Sequence, residues 1–363
     1  MAGVNILFCN YEYPPLGGGG GAVNAWLAEA LAERHRVTVL TSAADELPLE
    51  EEVRGVRILR VPVPFRRRLQ AANMPSLAAY VVNGIRRGRA LVREEPFDIV
   101  NTHFVLPSGP VGDNLARRAG IPNVLSVHGG DLYDPSKRSS PHRHAPLRRA
   151  VRGLLNRADV VVGQSRNTIG NVGRFFDPDI DCELVPLGIP RAGRTAARRP
   201  ELGLGEEEFV MVTVGRLVRR KGLDGLVAAL PAVDHPKARL VIVGDGPLRE
   251  ELEAQARELG VLERIVFAGH TTDARKMDWL SVSDVYVSTS QHEGFGLTFL
   301  EGMAVGLPVI CHDEGGQVDF VDSGSNGYLV PLNDAAGFVA RVNRVAEDPA
   351  LRERLSAGAL ETV

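Results

Sequence analysis

Residues Phe209-Val-Met-Val-Thr-Val-Gly-Arg216 decide the fold class of this chain. The run before the glycine is almost wholly apolar, without polar alternation, which is typical of a strand covered on both faces. Similar runs predict strands at residues 4–9, 36–41, 56–61, 98–102, 124–127, 159–163, 239–243, 264–268, 285–288 and 308–311. Helical patterns supply the crossovers between them, at residues 22–34, 77–93, 110–119, 147–156, 167–175, 223–230, 248–259 and 297–305. We therefore predict an α/β protein with doubly wound parallel sheets.

The length and one linker-like stretch predict two domains. A chain of 363 residues exceeds the usual size of one hydrophobic core. Pro190-Arg-Ala-Gly-Arg-Thr-Ala-Ala-Arg-Arg-Pro200 is small, basic and bracketed by prolines, so residues 190–200 are the predicted linker. Residues 1–189 and 201–363 are each predicted to form a Rossmann-like domain. We expect the two to face a central cleft that holds a ligand.

The composition is that of an ordinary globular protein. A net charge of −3 gives no support to nucleic-acid binding. Cys9, Cys182 and Cys311 lie far apart and indicate reduced thiols in a cytosolic protein. The N-terminus lacks a basic flank, so we interpret it as a strand and not as a signal peptide. No apolar run reaches the ~18 residues of a membrane span. These features together predict a cytoplasmic location.

The most informative motif is Glu293-Gly-Phe-Gly-Leu-Thr-Phe-Leu-Glu301, which carries two carboxylates eight positions apart. Gly294 and Gly296 indicate that Glu293 lies on a loop and Glu301 inside the following helix. The backbone N–H groups between the two acids are then free to meet an anion. This arrangement suits a polyhydroxylated anion, with a phosphate at the helix end and hydroxyls at the carboxylates.

A basic loop follows the strand at residues 209–214. In Gly215-Arg-Leu-Val-Arg-Arg-Lys-Gly222, Arg216 and Lys221 lie where a parallel sheet presents its ligand edge, and both cations can bind phosphate. Arg219 and Arg220 are expected in solvent. Taken alone, the loop fits a solvated surface equally well, and the glutamate motif makes the phosphate interpretation the better one.

Two further glycine motifs follow strands of the second half. Gly244-Asp-Gly-Pro247 opens a helix and fits a structural turn at least as well as a nucleotide contact. Gly269-His270 is a weak candidate for contact with a base edge.

A glycine run occupies residues 17–21, before the first helix, and its backbone can approach a pyrophosphate closely. The spacing Gly17-x-Gly19-x-x-Ala22 formally matches a dinucleotide fingerprint. The run comes too late after the first strand, however, and Thr41-Ser42 stands where a ribose-binding acid is expected. Hydride transfer is therefore disfavoured.

His128 follows the strand at residues 124–127 and begins the sequence His-Gly-Gly-Asp. An imidazole at such an edge can donate to a substrate hydroxyl or stabilise developing charge. A lone histidine is more often structural, but its position and its glycine neighbours favour a functional role.

Two basic clusters frame a helical pattern that carries regularly spaced apolar residues. They are Arg66-Arg-Arg68 and Arg86-Arg-Gly-Arg89. A basic amphipathic segment is able to rest on anionic lipid or to hold an anionic acceptor. A surface helix with its cations in solvent is a slightly better interpretation, so a peripheral contact with an anionic membrane stays open.

With these motifs in order, the chain resembles glycosyltransferase family 4, retaining enzymes of the GT-B architecture. The resemblance runs from Val4 to about Leu360 and rests on the Glu293/Glu301 pair, the Gly-Arg…Lys-Gly loop and the early glycine run. Each motif is moderately specific, and their order and spacing together are strongly so.

The resemblance implies roles for particular residues. Arg216 and Lys221 match residues that hold the donor diphosphate, Glu301 the acid that binds the ribose, and Glu293 the acid near the donor sugar. The backbone of Phe295, Gly296 and Leu297 matches the segment that contacts the sugar and the phosphate. His128 matches a histidine that contacts the donor sugar. Gly18 and Gly19 match glycines that lie beneath the phosphate and the acceptor. The catalytic set is then His128, Glu293, Arg216 and Lys221, and His270 joins the donor-binding residues.

The resemblance also implies the reaction. A hexosyl group would pass, with retention and without a metal or other cofactor, from a UDP- or GDP-sugar to a hydroxyl of a glycan, a lipid-linked or a small-molecule acceptor. Fixed cations and helix-end amides suit the leaving diphosphate. The chain departs from the family at Asp319, where Glu is usual, and it lacks the usual C-terminal return helix. The alternatives are a non-catalytic nucleotide-sugar-binding protein and a GT-B epimerase, whereas a phosphorylase would need a pyridoxal lysine site, of which we find no sign.

Overall fold

The computed structural model describes residues 3–44, 46–64, 66 and 72–363. These residues form two compact units that meet in the chain at Leu187 and Gly188. The first is called unit 1 and the second unit 2. No helix or strand occupies residues 188–198, which include most of the predicted linker.

Unit 1 contains one sheet whose strand order is β3-β4-β2-β1-β5-β6-β7-β8. All neighbours are parallel except β3 and β4. The strands are β1 Asn5–Cys9, β2 Arg36–Ser42, β3 Glu50–Val53, β4 Val56–Val61, β5 Ile99–His103, β6 Asn123–Val127, β7 Val160–Gly163 and β8 Cys182–Leu184. The six strands predicted for this half lie within two residues of these bounds, while β3 and β8 were not predicted.

The helices of unit 1 pack around this sheet as crossovers. They are α1 Gly19–Ala32, α2 Met74–Glu94, α3 Gly109–Ala119, α4 Ala145–Leu155 and α5 Arg166–Phe175. The start of α1 differs from the prediction, because the helix begins inside the glycine run and not after it. Gly18 is its N-cap and Ala22 N donates to Gly18 O, so the glycines form the first turn of the helix.

Unit 2 contains a fully parallel sheet with the order β11-β10-β9-β12-β13-β14. Its strands are β9 Phe209–Val214, β10 Ala238–Val243, β11 Ile265–Gly269, β12 Val285–Ser288, β13 Val309–His312 and β14 Gly327–Val330. Counted from β9, the order is that of the doubly wound nucleotide-binding fold. The chain reverses direction across the sheet between β9 and β12, and ligands of such sheets bind at this switch point.

Helices cover both faces of the second sheet. They are α6 Leu223–Ala229, α7 Arg249–Glu258, α8 Asp273–Ser281, α9 Leu297–Ala304, α10 Ala335–Glu347 and α11 Pro349–Thr362. Helices α8, α10 and α11 were not predicted. Strand residues such as Met211, Leu240 and Ile310 join Phe338 and Leu355 of the last two helices in one buried core. The core explains why the predicted strands lack polar alternation.

Candidate active site

The switch point of the unit 2 sheet carries most of the predicted donor-site residues. The loop after β9 contains Arg216 and Lys221, and the segment after β12 contains Glu293 and Gly296. Two strands that are neighbours in the sheet but distant in sequence therefore deliver the cations and the carboxylate to the same edge.

Glu293 and Lys221 form a close ion pair, with 2.5 Å between Lys221 Nζ and Glu293 Oε1. Ser290 Oγ donates to the same oxygen at 2.7 Å, and Arg220 Nη1 lies 3.9 Å from Glu293 Oε2. Burial alone would raise the pKa of Glu293, but the two cations and the hydrogen bonds outweigh it and lower the pKa to about 2. Glu293 is thus a fixed, ionised carboxylate at any ordinary pH.

Arg216 is the contrasting cation of this edge. Its side chain is exposed, and its guanidinium makes no hydrogen bond or ion pair with any residue that the structure describes. It lines a shallow recess together with Lys221, Ser288 and Ser290. The recess is therefore lined by two different cations: Arg216, whose N–H donors are unused, and Lys221, which is already paired with Glu293.

The other two arginines of the basic loop differ from each other. Arg219 pairs with Glu251 in solvent, as expected. Arg220 was expected in solvent too, and this was wrong: its Nη1 donates to His292 O at 3.0 Å and faces Glu293. Because the loop folds back onto the segment after β12, Arg220 adds to the positive field at this edge.

Helix α9 begins at this edge with free backbone donors. Gly296 is its N-cap at φ 106°, a left-handed conformation that favours glycine. Among the described residues, no acceptor faces the N–H groups of Leu297 and Thr298. Phe295 is buried and packs against Phe320, which holds the loop in place. The helix end can thus receive an anion.

Glu301 lies in the second turn of α9 and pairs with a lysine that the sequence analysis missed. Lys276 Nζ of α8 lies 2.8 Å from Glu301 Oε1 and 3.0 Å from Asp273 Oδ1. Burial raises the pKa of Glu301, while the adjacent ammonium acts to lower it, and we take the pair as ionised because the contact is direct. Glu301 Oε2 is buried and has no partner among the described residues, so one carboxylate oxygen of Glu301 has unused hydrogen-bonding capacity.

Tyr286 of β12 links these parts and was also missed. Its hydroxyl accepts from Val214 N at 3.2 Å and donates to Thr298 Oγ1 at 2.8 Å. The start of the basic loop and the first turn of α9 are thereby held together. Two sequence signals could have pointed to these residues. Thr272-Asp273 is a helix-start signal that places Lys276 on a helix, and a tyrosine inside an apolar strand, such as Tyr286, needs a partner for its hydroxyl.

His270 lies outside this network. It is exposed, and its side chain makes no hydrogen bond with any of the described residues. Gly269 before it has φ 70° and turns the chain at the end of β11. Its predicted contact with a base stays a prediction.

In unit 1, His128 lies beside a second histidine. His128 Nε2 is 3.0 Å from His103 Nδ1, and Phe104 stacks on the His128 ring with 4.3 Å between centroids. Asp131 accepts hydrogen bonds from His128 N and Val105 N. Burial lowers the pKa of His128 to about 3. The imidazole is therefore neutral, and its predicted contact with the donor sugar stays a prediction.

The glycine run lies at the switch point of the unit 1 sheet, between β1 and β5. Gly18 N donates to Glu12 Oε2 at 3.4 Å, and a Cβ on Gly18 would meet nothing within 4 Å. Gly19 is the first residue of α1. A Cβ on Gly20 would instead lie 2.4 Å from Phe104 Cζ. The run therefore offers open backbone at Gly18 and a tight contact at Gly20.

Two overlapping Asp-x-Asp spacings occur in Asp177-Pro-Asp-Ile-Asp181. Closely spaced aspartates of this kind can bind a divalent metal ion, so they bear on the prediction of a metal-independent site. Asp177 Oδ2 accepts from Arg152 Nε at 2.7 Å, in an ion pair far from the sheet switch points in sequence. Within the described ranges, no group of three or more His, Cys, Asp or Glu side chains is arranged to hold a metal ion. Asp177 of this motif thus serves unit 1 as an ion-pair partner of Arg152 in α4.

Of the two basic clusters, the structure describes the second completely and the first only in part. Arg67 and Arg68 lie outside the described residues. In α2, Arg87 pairs with Glu94 and Arg89 with Asn114, while Arg86 is exposed. None of the helices in the described part of the chain has the length and apolarity that a membrane span needs.

These features define a two-unit α/β glycosyltransferase of the GT-B architecture. Residues 195–362 match the family model described as "Glycosyl transferases group 1", and residues 18–188 match "Glycosyl transferase 4-like domain". The chain belongs to glycosyltransferase family 4, which confirms the predicted resemblance.

Individual proteins agree with this assignment. A D-inositol 3-phosphate glycosyltransferase of Thermomonospora curvata is 31% identical over 99% of this chain and 90% of its own length. The sucrose-phosphate synthase of Thermosynechococcus elongatus has a similar solved structure, with a TM-score of 0.87, 26% identity and coverage of 99% of this chain and 94% of that one. Anabaena HepE, solved with UDP and glucose, gives a TM-score of 0.80 at 22% identity over 99% and 94% of the two chains.

Proposed function

We propose that the protein is a retaining, metal-independent glycosyltransferase that moves a hexosyl group from a UDP- or GDP-sugar to a hydroxyl of a glycan, lipid-linked or small-molecule acceptor. The observation that carries the proposal is the set of unused groups at one sheet edge of unit 2. Arg216 and the N-terminus of α9 offer donors to a diphosphate, and Glu301 Oε2 offers an acceptor to ribose hydroxyls. The relative solved with UDP and glucose supports this donor class.

The geometry also supports the mechanism that we propose. Charge develops on the leaving diphosphate, and the cations Arg216 and Lys221 with the α9 amides are placed to stabilise it without a metal. Glu293 is tied to Lys221 and Ser290, which suits orientation of the donor sugar better than attack on it. Retention would then follow from attack on the same face of the sugar, with the leaving phosphate helping to take the acceptor proton.

The deciding experiment incubates UDP-, GDP- and ADP-sugars with the protein in excess EDTA and follows the anomeric protons by NMR. We expect one donor to be consumed, slowly without acceptor, with the donor configuration kept in the product. Loss of turnover in EDTA would refute metal independence, and inversion of the anomeric configuration would refute retention. An unconsumed donor that still binds would indicate a binding protein, and a new nucleotide sugar an epimerase.

The role of Glu301 has its own test. Glu301→Ala removes the carboxylate and is expected to weaken nucleoside-diphosphate binding by ~1.5–3 kcal/mol, the range for a hydrogen bond to a charged group. Isothermal titration calorimetry with UDP and GDP measures this. Unchanged affinity for the preferred nucleotide would remove Glu301 from the donor site. The acceptor class and the peripheral membrane contact stay predictions.

A further inference from the structure

Two histidines at the carboxyl edge of the unit 1 sheet share one hydrogen bond. His103 ends β5, His128 follows β6, and 3.0 Å separates His103 Nδ1 from His128 Nε2. His103 is 3% exposed and stacks on Phe8, with ring planes 8° from parallel. At this distance one nitrogen must carry the proton and the other must accept it.

The shared proton can belong to either ring. Burial lowers the pKa of both imidazoles, so each ring is neutral and carries one proton. If His103 donates from Nδ1, its Nε2 is bare and the proton of His128 lies on Nδ1. If His128 donates from Nε2 instead, the proton of His103 must lie on its own Nε2.

The surroundings of His103 Nε2 distinguish the two arrangements. This nitrogen is buried and has no hydrogen-bond partner in the part of the chain that the structure describes. A proton there would make it a buried donor without an acceptor, and orphaned buried donors are rarer than under-satisfied acceptors. The arrangement in which His103 Nε2 carries no proton, and His103 donates from Nδ1, is therefore favoured.

We propose that His103 is a positioning residue that donates its Nδ1–H to His128 and so fixes the proton of His128 on Nδ1. Asp131 does not do this, because its carboxylate is bound to the backbone N–H groups of His128 and Val105. Phe104 supports the ring by stacking, and a ring face cannot select a tautomer.

The tautomer of His128 decides what its Nδ1 can offer to a bound substrate, a consequence that rests on the proposed function. His128 Nδ1 is not enclosed by protein and contacts no hydrogen-bonding group of the described residues. With the proton fixed there, His128 presents a neutral N–H donor to an oxygen of the bound sugar or phosphate. In the other tautomer it would present a lone pair, which repels a phosphate oxygen and can only accept a hydrogen bond from a sugar hydroxyl.

The first test is an imidazole ¹⁵N NMR measurement on the ligand-free protein. We expect a protonated Nδ1 and a bare Nε2 on both His103 and His128, with the two rings coupled through the shared proton. A proton on Nε2 of either ring would overturn the proposal. Because no substrate is present, this result is independent of the donor assays, which test the proposed function separately.

The second test compares two variants by tautomer and by kinetics. His103→Asn keeps an N–H donor near the position of Nδ1, whereas His103→Leu removes it. We expect His103→Leu to lose the single His128 tautomer and to lower kcat about tenfold or more at little cost in donor KM. His103→Asn should restore both to within about threefold. Equal kcat losses in the two variants, with the His128 tautomer unchanged, would reduce His103 to a packing residue.

Discussion

The two sheet edges carry their candidate residues at corresponding points of the fold, but the pKa of the buried carboxyl is shifted in opposite directions at the two edges. In unit 2, Lys221 holds Glu293 ionised, with a pKa of about 2. In unit 1, burial raises the pKa of Asp131 to about 6, despite its hydrogen bonds to backbone N–H groups, and His128 is neutral. Both carboxyls are ionised at neutral pH, but Glu293 keeps its charge down to low pH, whereas Asp131 takes up a proton near pH 6.

The difference shows what a buried carboxyl needs in order to stay charged. Glu293 has an ammonium 2.5 Å away, while Asp131 has backbone N–H donors alone among the described residues. Backbone donors are partial charges, and here they do not offset the loss of water around a carboxylate. The cations of the unit 2 edge suit a diphosphate, and the neutral imidazole of the unit 1 edge suits a sugar, which carries hydroxyls and no charge.

Replacing Lys221 by Met is the largest expected change, because it leaves Glu293 buried without its cation. We expect a loss of about 3–5 kcal/mol in the free energy of unfolding, the range for a broken buried ion pair. Turnover should fall at least about a hundredfold, because the cation that we propose to stabilise the leaving diphosphate is lost as well. Urea denaturation and donor-hydrolysis rates measure the two effects.

The double variant Lys221→Met, Glu293→Gln serves as the matched control. It removes the uncompensated charge, so stability should largely return while turnover does not. If stability stays low in the double variant, the ion pair is not what Lys221 contributes to the fold.

Gly20→Ala is the corresponding change at the unit 1 edge. The new Cβ would lie 2.4 Å from Phe104 Cζ, and Phe104 already has φ 70° and packs between Tyr11 and His128. We expect a loss of about 1–3 kcal/mol from overpacking and a change in the His128 ring signals.

Gly18→Ala is its control, because nothing lies within 4 Å of a Cβ at Gly18. Gly18→Ala should keep the stability of the free protein within about 0.5 kcal/mol, the range for a surface change. If the two variants are equally stable, Phe104 moves freely and does not fix the His128 ring.

Much of this arrangement could be predicted from sequence, and the failures have physical causes. Strands such as β9 and β12 were predictable because strands covered on both faces show uninterrupted apolar runs. Strand β3 was missed because its three glutamates lack that signal, and it pairs antiparallel to β4 at the edge of the sheet, where Glu50 meets Arg57. The start of α1 was misplaced because glycine disfavours helix on propensity alone, and tertiary packing overrides propensity.

The predicted loop residues Arg216, Lys221, Glu293 and Gly296 do meet at one edge, because the strand order brings β9 beside β12. Their partners were harder to predict. Lys276 pairs with Glu301 across 25 positions, and His103 meets His128 across 25 as well. Such pairs depend on how helices and strands pack, and a sequence signal for one residue, such as the helix start before Lys276, does not identify its partner.

The pH dependence of stability separates the two edges further. Because the folded pKa of Asp131 is raised to about 6, its contribution to stability is full below its unfolded pKa and is lost as pH rises through 6. Wild type should therefore lose about 2 kcal/mol from this group between pH 4 and 7, and Asp131→Asn should lack that slope. Glu293 has the opposite sign, with stability lost as pH falls from about 4.5 toward 2. Urea unfolding at several pH values measures the slopes, and parallel curves for the two proteins would contradict the assignment to Asp131.

The smallest expected effect distinguishes the two arginines beside Lys221. Arg219→Ala breaks an exposed ion pair with Glu251 and should change stability by less than about 0.5 kcal/mol. Arg220→Ala removes a donor to His292 O and a cation 3.9 Å from Glu293, so we expect a loss of about 1 kcal/mol and a higher pKa of Glu293. Carboxyl ¹³C NMR titration follows that pKa. If both variants leave it unchanged, Lys221 alone keeps this edge charged, and the contrast between the two edges reduces to a single lysine.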